Sequence, residues 1–260
     1  MTNLTRKTPF HKCWLTSAHR GLVDDVLKEN TLAAFYNAYL NGADMIETDA
    51  RMSCDGVLIC NHNATAVGTD PATGETVTYT VAETNAETLC SLILSRDEKW
   101  GTQTIPTLEQ VLHLAYNTGM IVNIDMKAGA KDADAIVDTV LRCGMRGRVI
   151  YATNGAGAET ILQILRRDAD ARFIDTPSNY TAEKLAEIED RNRRCFAYTG
   201  DFSKENIDMI RKSGCMLALI SLRPENFRDA MVHHPDMCEY LHTSDFRQIE
   251  TDYFDTLKLF

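Results

Sequence analysis

Ala43-Asp44-Met45-Ile46-Glu47-Thr48-Asp49-Ala50 reads as a β-strand with its charge on one side. Glu47 and Asp49 stand two residues apart, and the side-chain period of a strand is two, so both carboxylates face the same way. Two carboxylates side by side repel unless a cation lies between them. A divalent metal held by oxygen ligands fits that need best. Upstream, the apolar run Trp14-Leu15-Thr16-Ser17-Ala18 ends in His19-Arg20. Downstream, Val57-Leu58-Ile59-Cys60 reads as the return arm of a hairpin turned at Asp55-Gly56, with His62 just beyond it. Two histidines and an arginine next to a metal suggest proton transfer on a phosphate.

Outward from this stretch the chain alternates between strands and helices. Residues 15–18, 44–51 and 121–127 read as the first three strands. Further strands are expected at 149–151, 171–174, 195–198, 216–220 and 239–242, with helical patterns near 133–143, 156–168, 181–191, 203–213, 225–232 and 247–258. Leu32 to Leu40 reads as a helix, with Asn30 as its N-cap and Gly42 just past its end. Thr107 and Gln110 form a capping box for another. An eightfold strand–helix alternation at this length is what a (β/α)8 TIM barrel predicts. A doubly wound open sheet is the alternative, but its Gly-rich first turn is missing, because the turn here is His19-Arg20-Gly21. Residues 63–104 lack regularity, with turns at 68–71 and 73–74 and a possible helix over 84–94. The expected organisation is one barrel domain over 1–260, with an inserted excursion at about 63–104 after the second strand.

Composition bounds the rest. The 260 residues are 44% hydrophobic, enough for a sizeable core. No apolar run approaches the ~20 residues of a membrane helix, and the N-terminus is polar, so a cytoplasmic protein without stable membrane insertion is expected. The net charge of −10 argues against nonspecific nucleic-acid binding. The eight cysteines include no Cys-x-x-Cys pair, so zinc is not expected. Buried free thiols such as Cys195 and Cys215 fit a reducing compartment.

Ala18-His19-Arg20-Gly21, Glu29-Asn30-Thr31-Leu32-Ala33-Ala34-Phe35, Gly42 through Asp49, Asp55-Gly56-Val57 and His62 together resemble the glycerophosphodiester phosphodiesterase family. Ile105 through Leu112 and Asn123-Ile124-Asp125-Met126-Lys127 extend the resemblance, which is dense over 15–63 and patchier to 127. It implies a barrel that hydrolyses glycerophosphodiesters to glycerol 3-phosphate and an alcohol with one divalent cation, magnesium or calcium. By the same resemblance His19 and His62 match catalytic histidines and Arg20 a phosphate-binding arginine, while Glu47, Asp49 and Asp125 match metal ligands. Lys127 stands where the family's lysine does, as a further substrate-binding cation. Two positions depart from the family: Asp125 replaces a glutamate and Asn63 replaces an aspartate.

The residues are chemically suited to that reading. A metal neutralises phosphodiester charge, Arg20 and Lys127 add positive charge where negative charge develops, and histidines transfer protons near neutral pH. Three competing readings stay open. Glu47 and Asp49 could pair with Arg20 and Lys127 in a metal-free salt-bridge network. A phospholipase-type enzyme would release a cyclic phosphate from a lipid. A noncatalytic ligand-binding barrel would keep the pocket alone. Gly155-Ala156-Gly157 could cradle a phosphate at a helix N-terminus, although a plain loop accounts for it more simply, and His242, at the end of the eighth expected strand near Asp245, could face the site.

Overall fold

Short apolar strands rich in Val, Ile and Met alternate with amphipathic helices, and parallel pairing of such strands requires both faces to be covered. The computed structural model describes residues 15–127, 130–152 and 157–175, the strand segments 195–199, 216–221 and 246–251, and the isolated positions Glu205 and Met209. The barrel strands are β1 (Leu15–Ala18), β2 (Met45–Met52), β8 (Ile121–Met126), β9 (Val149–Ala152), β10 (Arg172–Asp175), β11 (Cys195–Thr199), β12 (Met216–Ser221) and β13 (Phe246–Thr251). Each pairs in parallel with the next, and β13 pairs with β1 to close the ring. An open doubly wound sheet has no such closure, so the (β/α)8 expectation holds.

Alternation along the strands sorts the two faces. Leu15, Met45, Ile121, Ile150, Ala152 and Ile174 form the inner cluster. Ile46, Ala50, Val122, Ile124, Val149, Tyr151 and Phe173 face outward and pack on helices α1 (Leu32–Leu40), α3 (Leu108–Thr118), α4 (Ala130–Arg142) and α5 (Gly157–Arg167). Each fully buried large side chain contributes about 1.5–3 kcal/mol. In α3 the capping box is formed as expected, with the Thr107 hydroxyl accepting from the Gln110 N–H and the Gln110 side chain accepting from the Thr107 N–H.

Three sequence expectations are corrected. The helix expected at 247–258 is a strand over Phe246–Thr251, because the barrel closes only if a segment pairs with both β12 and β1, and that pairing overrides the helical preference of Gln248 and Glu250. The strand expected at 239–242 and the helices expected at 181–191 and 225–232 lie outside the described residues, as do Ala156, Gly155 and His242.

Residues 63–104 are also more regular than they read. After β3 (Leu58–Cys60), which pairs antiparallel with β2, come β4 (Thr65–Thr69), β5 (Thr76–Thr80), a short helix α2 (Ala86–Ser91), β6 (Ile93–Asp97) and β7 (Gly101–Thr104). The four strands form an antiparallel sheet in the order β5-β4-β6-β7. In Thr76-Val77-Thr78-Tyr79-Thr80 the threonines are exposed while Val77 and Tyr79 are half-buried, a period of two that threonine's polarity concealed. The third correction, at the N-cap of α1, belongs to the site.

Candidate active site

The inner face of β2 carries Met45, Glu47 and Asp49 in succession, and the inner face of β8 carries Ile121, Asn123 and Asp125. The ladder sets Glu47 opposite Asn123 and Asp49 opposite Asp125. Apolar residues therefore occupy the early part of both strands and polar ones the end, at the C-terminal mouth where barrel active sites form. Glu47 and Asp49 are both buried, at 4% and 1% exposure. Carboxylate oxygens of Glu47, Asp49 and Asp125 all lie within 4.8 Å of one another. Such a cluster is costly in a barrel interior unless cations join it.

Two cations do. The Lys127 ammonium lies 2.9 Å from Asp49 Oδ1 and bonds Asp125 Oδ2. Arg20 Nε lies 3.3 Å from Asp49 Oδ2, and Arg20 Nη1 lies 3.0 Å from Glu29 Oε2. Burial works against the charge of Lys127, but its bonds to Asp125 and Asp49 outweigh burial and raise its pKa. Burial likewise opposes Arg20, and Asp49, Glu29 and Glu47 together raise it. Both groups remain cationic at neutral pH. Asp49 thus forms the ion pairs of the metal-free reading with both Arg20 and Lys127, and Asp125 shares Lys127 with it.

The loop after β1 is built to deliver Arg20. Its backbone N–H donates to Glu47 Oε2 at 3.0 Å from a left-handed conformation, φ 54°. Gly21 follows at φ 93°, where a Cβ would lie 2.8 Å from the Ala34 Cβ of α1, so glycine alone fits there. His19, half-buried, stands directly before Arg20 on this rim. His62 lies on the connection that follows β3, two residues past its end. The Asn61 N–H donates to the Asp49 carbonyl at 3.0 Å, and Arg51 Nε and Nη2 donate to the His62 carbonyl at 3.0 and 2.7 Å. The His62 ring Nδ1 is 3.2 Å from Asn63 Oδ1, so the amide that replaces the family's aspartate still meets the imidazole.

Sequence reading missed the role of Asn30. Thr31, not Asn30, caps α1, its hydroxyl accepting from the Ala34 N–H at 3.2 Å. Asn30 instead takes φ 55° and turns its amide onto β2. Its Nδ2 donates to Asp49 Oδ2 at 2.7 Å, and its Oδ1 accepts from Thr48 Oγ1 and the Asp49 N–H. Adjacent Asn and Thr are both good caps, so residue type could not choose between them. Gln103 of β7 is the second such residue. It is buried, accepts from the Lys28 N–H and donates to the Val26 carbonyl, bracing the loop that carries Asn30. Cys60, beside Thr48, is pushed up to about 12 by burial and is no nucleophile.

A closed parallel eight-stranded barrel whose C-terminal mouth gathers three carboxylates, a lysine and an arginine places the chain among the (β/α)8 barrels with a polar site at that face. Among these the chain belongs to the glycerophosphoryl diester phosphodiesterase family, whose model matches residues 19–193. It is 36% identical over 115 residues to a glycerophosphodiester phosphodiesterase of Caldanaerobacter subterraneus subsp. tengcongensis, a match covering 44% of this chain and 46% of that one. A glycerophosphodiester phosphodiesterase of Bacillus altitudinis is 35% identical over 111 residues, covering 42% and 44%. The chain thus spans about half the length of the relatives it matches in sequence. The crystal structure of glycerophosphodiester phosphodiesterase from Agrobacterium tumefaciens superposes with a TM-score of 0.73 at 22% identity, over 95% of this chain and 100% of that one. An Oleispira antarctica phosphodiesterase, solved with the product sn-glycerol-3-phosphate, superposes with a TM-score of 0.72 at 16% identity, over 94% and 95%. At these identities the two structures establish the barrel alone.

Proposed function

We propose that this chain hydrolyses glycerophosphodiesters to glycerol 3-phosphate and an alcohol, using one divalent cation, magnesium or calcium. The observation that carries the reading is the convergence of Glu47, Asp49 and Asp125 beside Lys127 and Arg20 at the barrel mouth. An all-oxygen donor set suits a hard cation better than zinc, and the buried charge of the trio fits a divalent ion. A cation held by these three carboxylates would offset the phosphodiester charge and acidify the attacking group.

The chain's own residues do the rest. Arg20 binds a phosphate oxygen through a guanidinium whose backbone is already fixed to Glu47. Lys127 supplies positive charge as the phosphorus gains negative charge. One of His19 and His62 takes a proton from the nucleophile, and the other donates one to the leaving alkoxide. A bound glycerol phosphate in the Oleispira antarctica barrel supports the product assignment. None of the described helices is long and apolar enough to cross a membrane, and four free thiols among the described residues support a reducing, cytoplasmic setting.

The test is release of glycerol 3-phosphate from a panel of small glycerophosphodiesters, in EDTA and after adding magnesium, calcium or manganese, with phosphorus NMR of the products. Metal-restored glycerol 3-phosphate supports the proposal. A cyclic phosphate as the end product replaces it with the phospholipase-type reaction, and ligand binding with a rate no better than buffer replaces it with a noncatalytic barrel.

A further inference from the structure

Glu109 and His113 lie four residues apart on α3 and therefore share one face of that helix. Both are exposed on the outer layer of the barrel. Cys143, directly after α4, is 8% exposed and brings its sulfur to the same place. One carboxylate oxygen, one imidazole nitrogen and the Cys143 Sγ all lie within 4.8 Å of one another. Among the described residues this is the other cluster besides the mouth carboxylates with metal-ligand spacing, and the barrel wall separates the two.

We propose that Glu109, His113 and Cys143 form a second metal site, one for a borderline-soft divalent ion of the zinc class, that clips α3 to α4. The donor set decides the class. One thiolate, one imidazole and one carboxylate suit zinc, where three oxygens suit magnesium or calcium. Three protein ligands leave the fourth tetrahedral position to water. The local charge favours such an ion. The Glu109 carboxylate stands beside the Cys143 sulfur. A divalent ion between the two turns the repulsion between thiolate and carboxylate into shared ligation, and the thiol proton leaves to solvent. Arg142 Nη2 stands 3.3 Å from Glu109 Oε2, but both side chains are exposed and such a surface pair is weak enough to yield. The sequence discounted zinc because it has no Cys-x-x-Cys pair. The fold supplies the ligands from α3 and from the residue that follows α4 instead.

The test is a titration of the demetallated protein with cobalt(II), read by thiolate-to-cobalt charge-transfer absorption in the near ultraviolet. The oxygen-only trio at the mouth cannot produce that band, so the outcome is independent of the hydrolysis proposal. The wild type is expected to develop the band with one equivalent of cobalt and to lose it when zinc is added. Cys143→Ser and His113→Ala are each expected to lose it. His113 is exposed, so its variant reports on the metal and not on folding, and circular dichroism verifies both. A wild type without the band, or a band that survives in a folded His113→Ala or Cys143→Ser protein, overturns the site.

Discussion

Asn30 holds Asp49 at two points: its Nδ2 donates to Asp49 Oδ2 at 2.7 Å, and its Oδ1 accepts the Asp49 backbone N–H at 3.2 Å. A carboxylate fixed in this way keeps one orientation whether or not a cation is bound, which is what supporting residues around a metal ligand do. Asn30→Gly removes the amide while keeping a residue that tolerates φ 55°. We expect metal affinity or turnover to fall by about 10- to 100-fold, measured by calorimetric titration with magnesium and calcium and by steady-state kinetics. Wild-type values for both would reduce Asn30 to a loop residue.

The carboxylate trio sets the second expectation. EDTA is expected to abolish hydrolysis, and Glu47→Gln and Asp49→Asn are expected to abolish its rescue by metal, since each removes one of three charges from the cluster. Asp125→Glu is different in kind. It restores the length usual in the family at a half-buried position next to Lys127, so activity should be retained and the preferred metal is the property that can shift. Rescue of Glu47→Gln at trace metal would return the cluster to a salt-bridge network.

Much of this site was legible in the sequence because strand chemistry is local. Glu47 and Asp49 share a face by the period of two, and Asp125 and Lys127 sit at the end of a strand that any pattern reading finds. What was not legible depends on contacts between distant segments. Asn30 is identical in type to a helix cap and differs only in that the loop bends it onto β2. Gln103 braces that loop from β7, 75 residues after Lys28. The last barrel strand, Phe246–Thr251, has no strong β pattern of its own and is defined by its two partners. The antiparallel sheet of residues 65–104 was hidden by threonines that count as polar in a pattern yet favour strands.

His19 and His62 carry the third expectation. His19→Ala and His62→Ala should each lower kcat by ~100-fold or more, the scale of lost acid–base catalysis. Asn63→Asp tests the partner of His62, because its Oδ1 is 3.2 Å from the ring Nδ1. A carboxylate there favours the imidazolium, so the kcat profile should move to higher pH in the variant. An unchanged rate in either alanine variant would remove that histidine from the mechanism.

Asp24 opens the loop that carries Glu29 and Asn30, and its Oδ1 accepts from the Val26 and Leu27 N–H groups at 2.8 and 2.7 Å. These hydrogen bonds, Leu27 first and then Val26, hold the carboxyl below its ordinary value of 3.8. A group whose folded-state pKa is depressed stabilises the protein above its unfolded value, and the contribution is lost as pH falls through the folded value. Asp24 is exposed, so solvent screens the effect, and the gap in Tm between wild type and Asp24→Ala should be only about 1–2 °C at neutral pH. The gap should hold steady above pH ~5 and narrow below pH ~4, where the free carboxyl is protonated in the unfolded chain. Thermal melts of both proteins between pH 3 and 8 check this. A gap of the same size at pH 3 as at pH 7 would mean that the turn is held by something other than the Asp24 carboxylate.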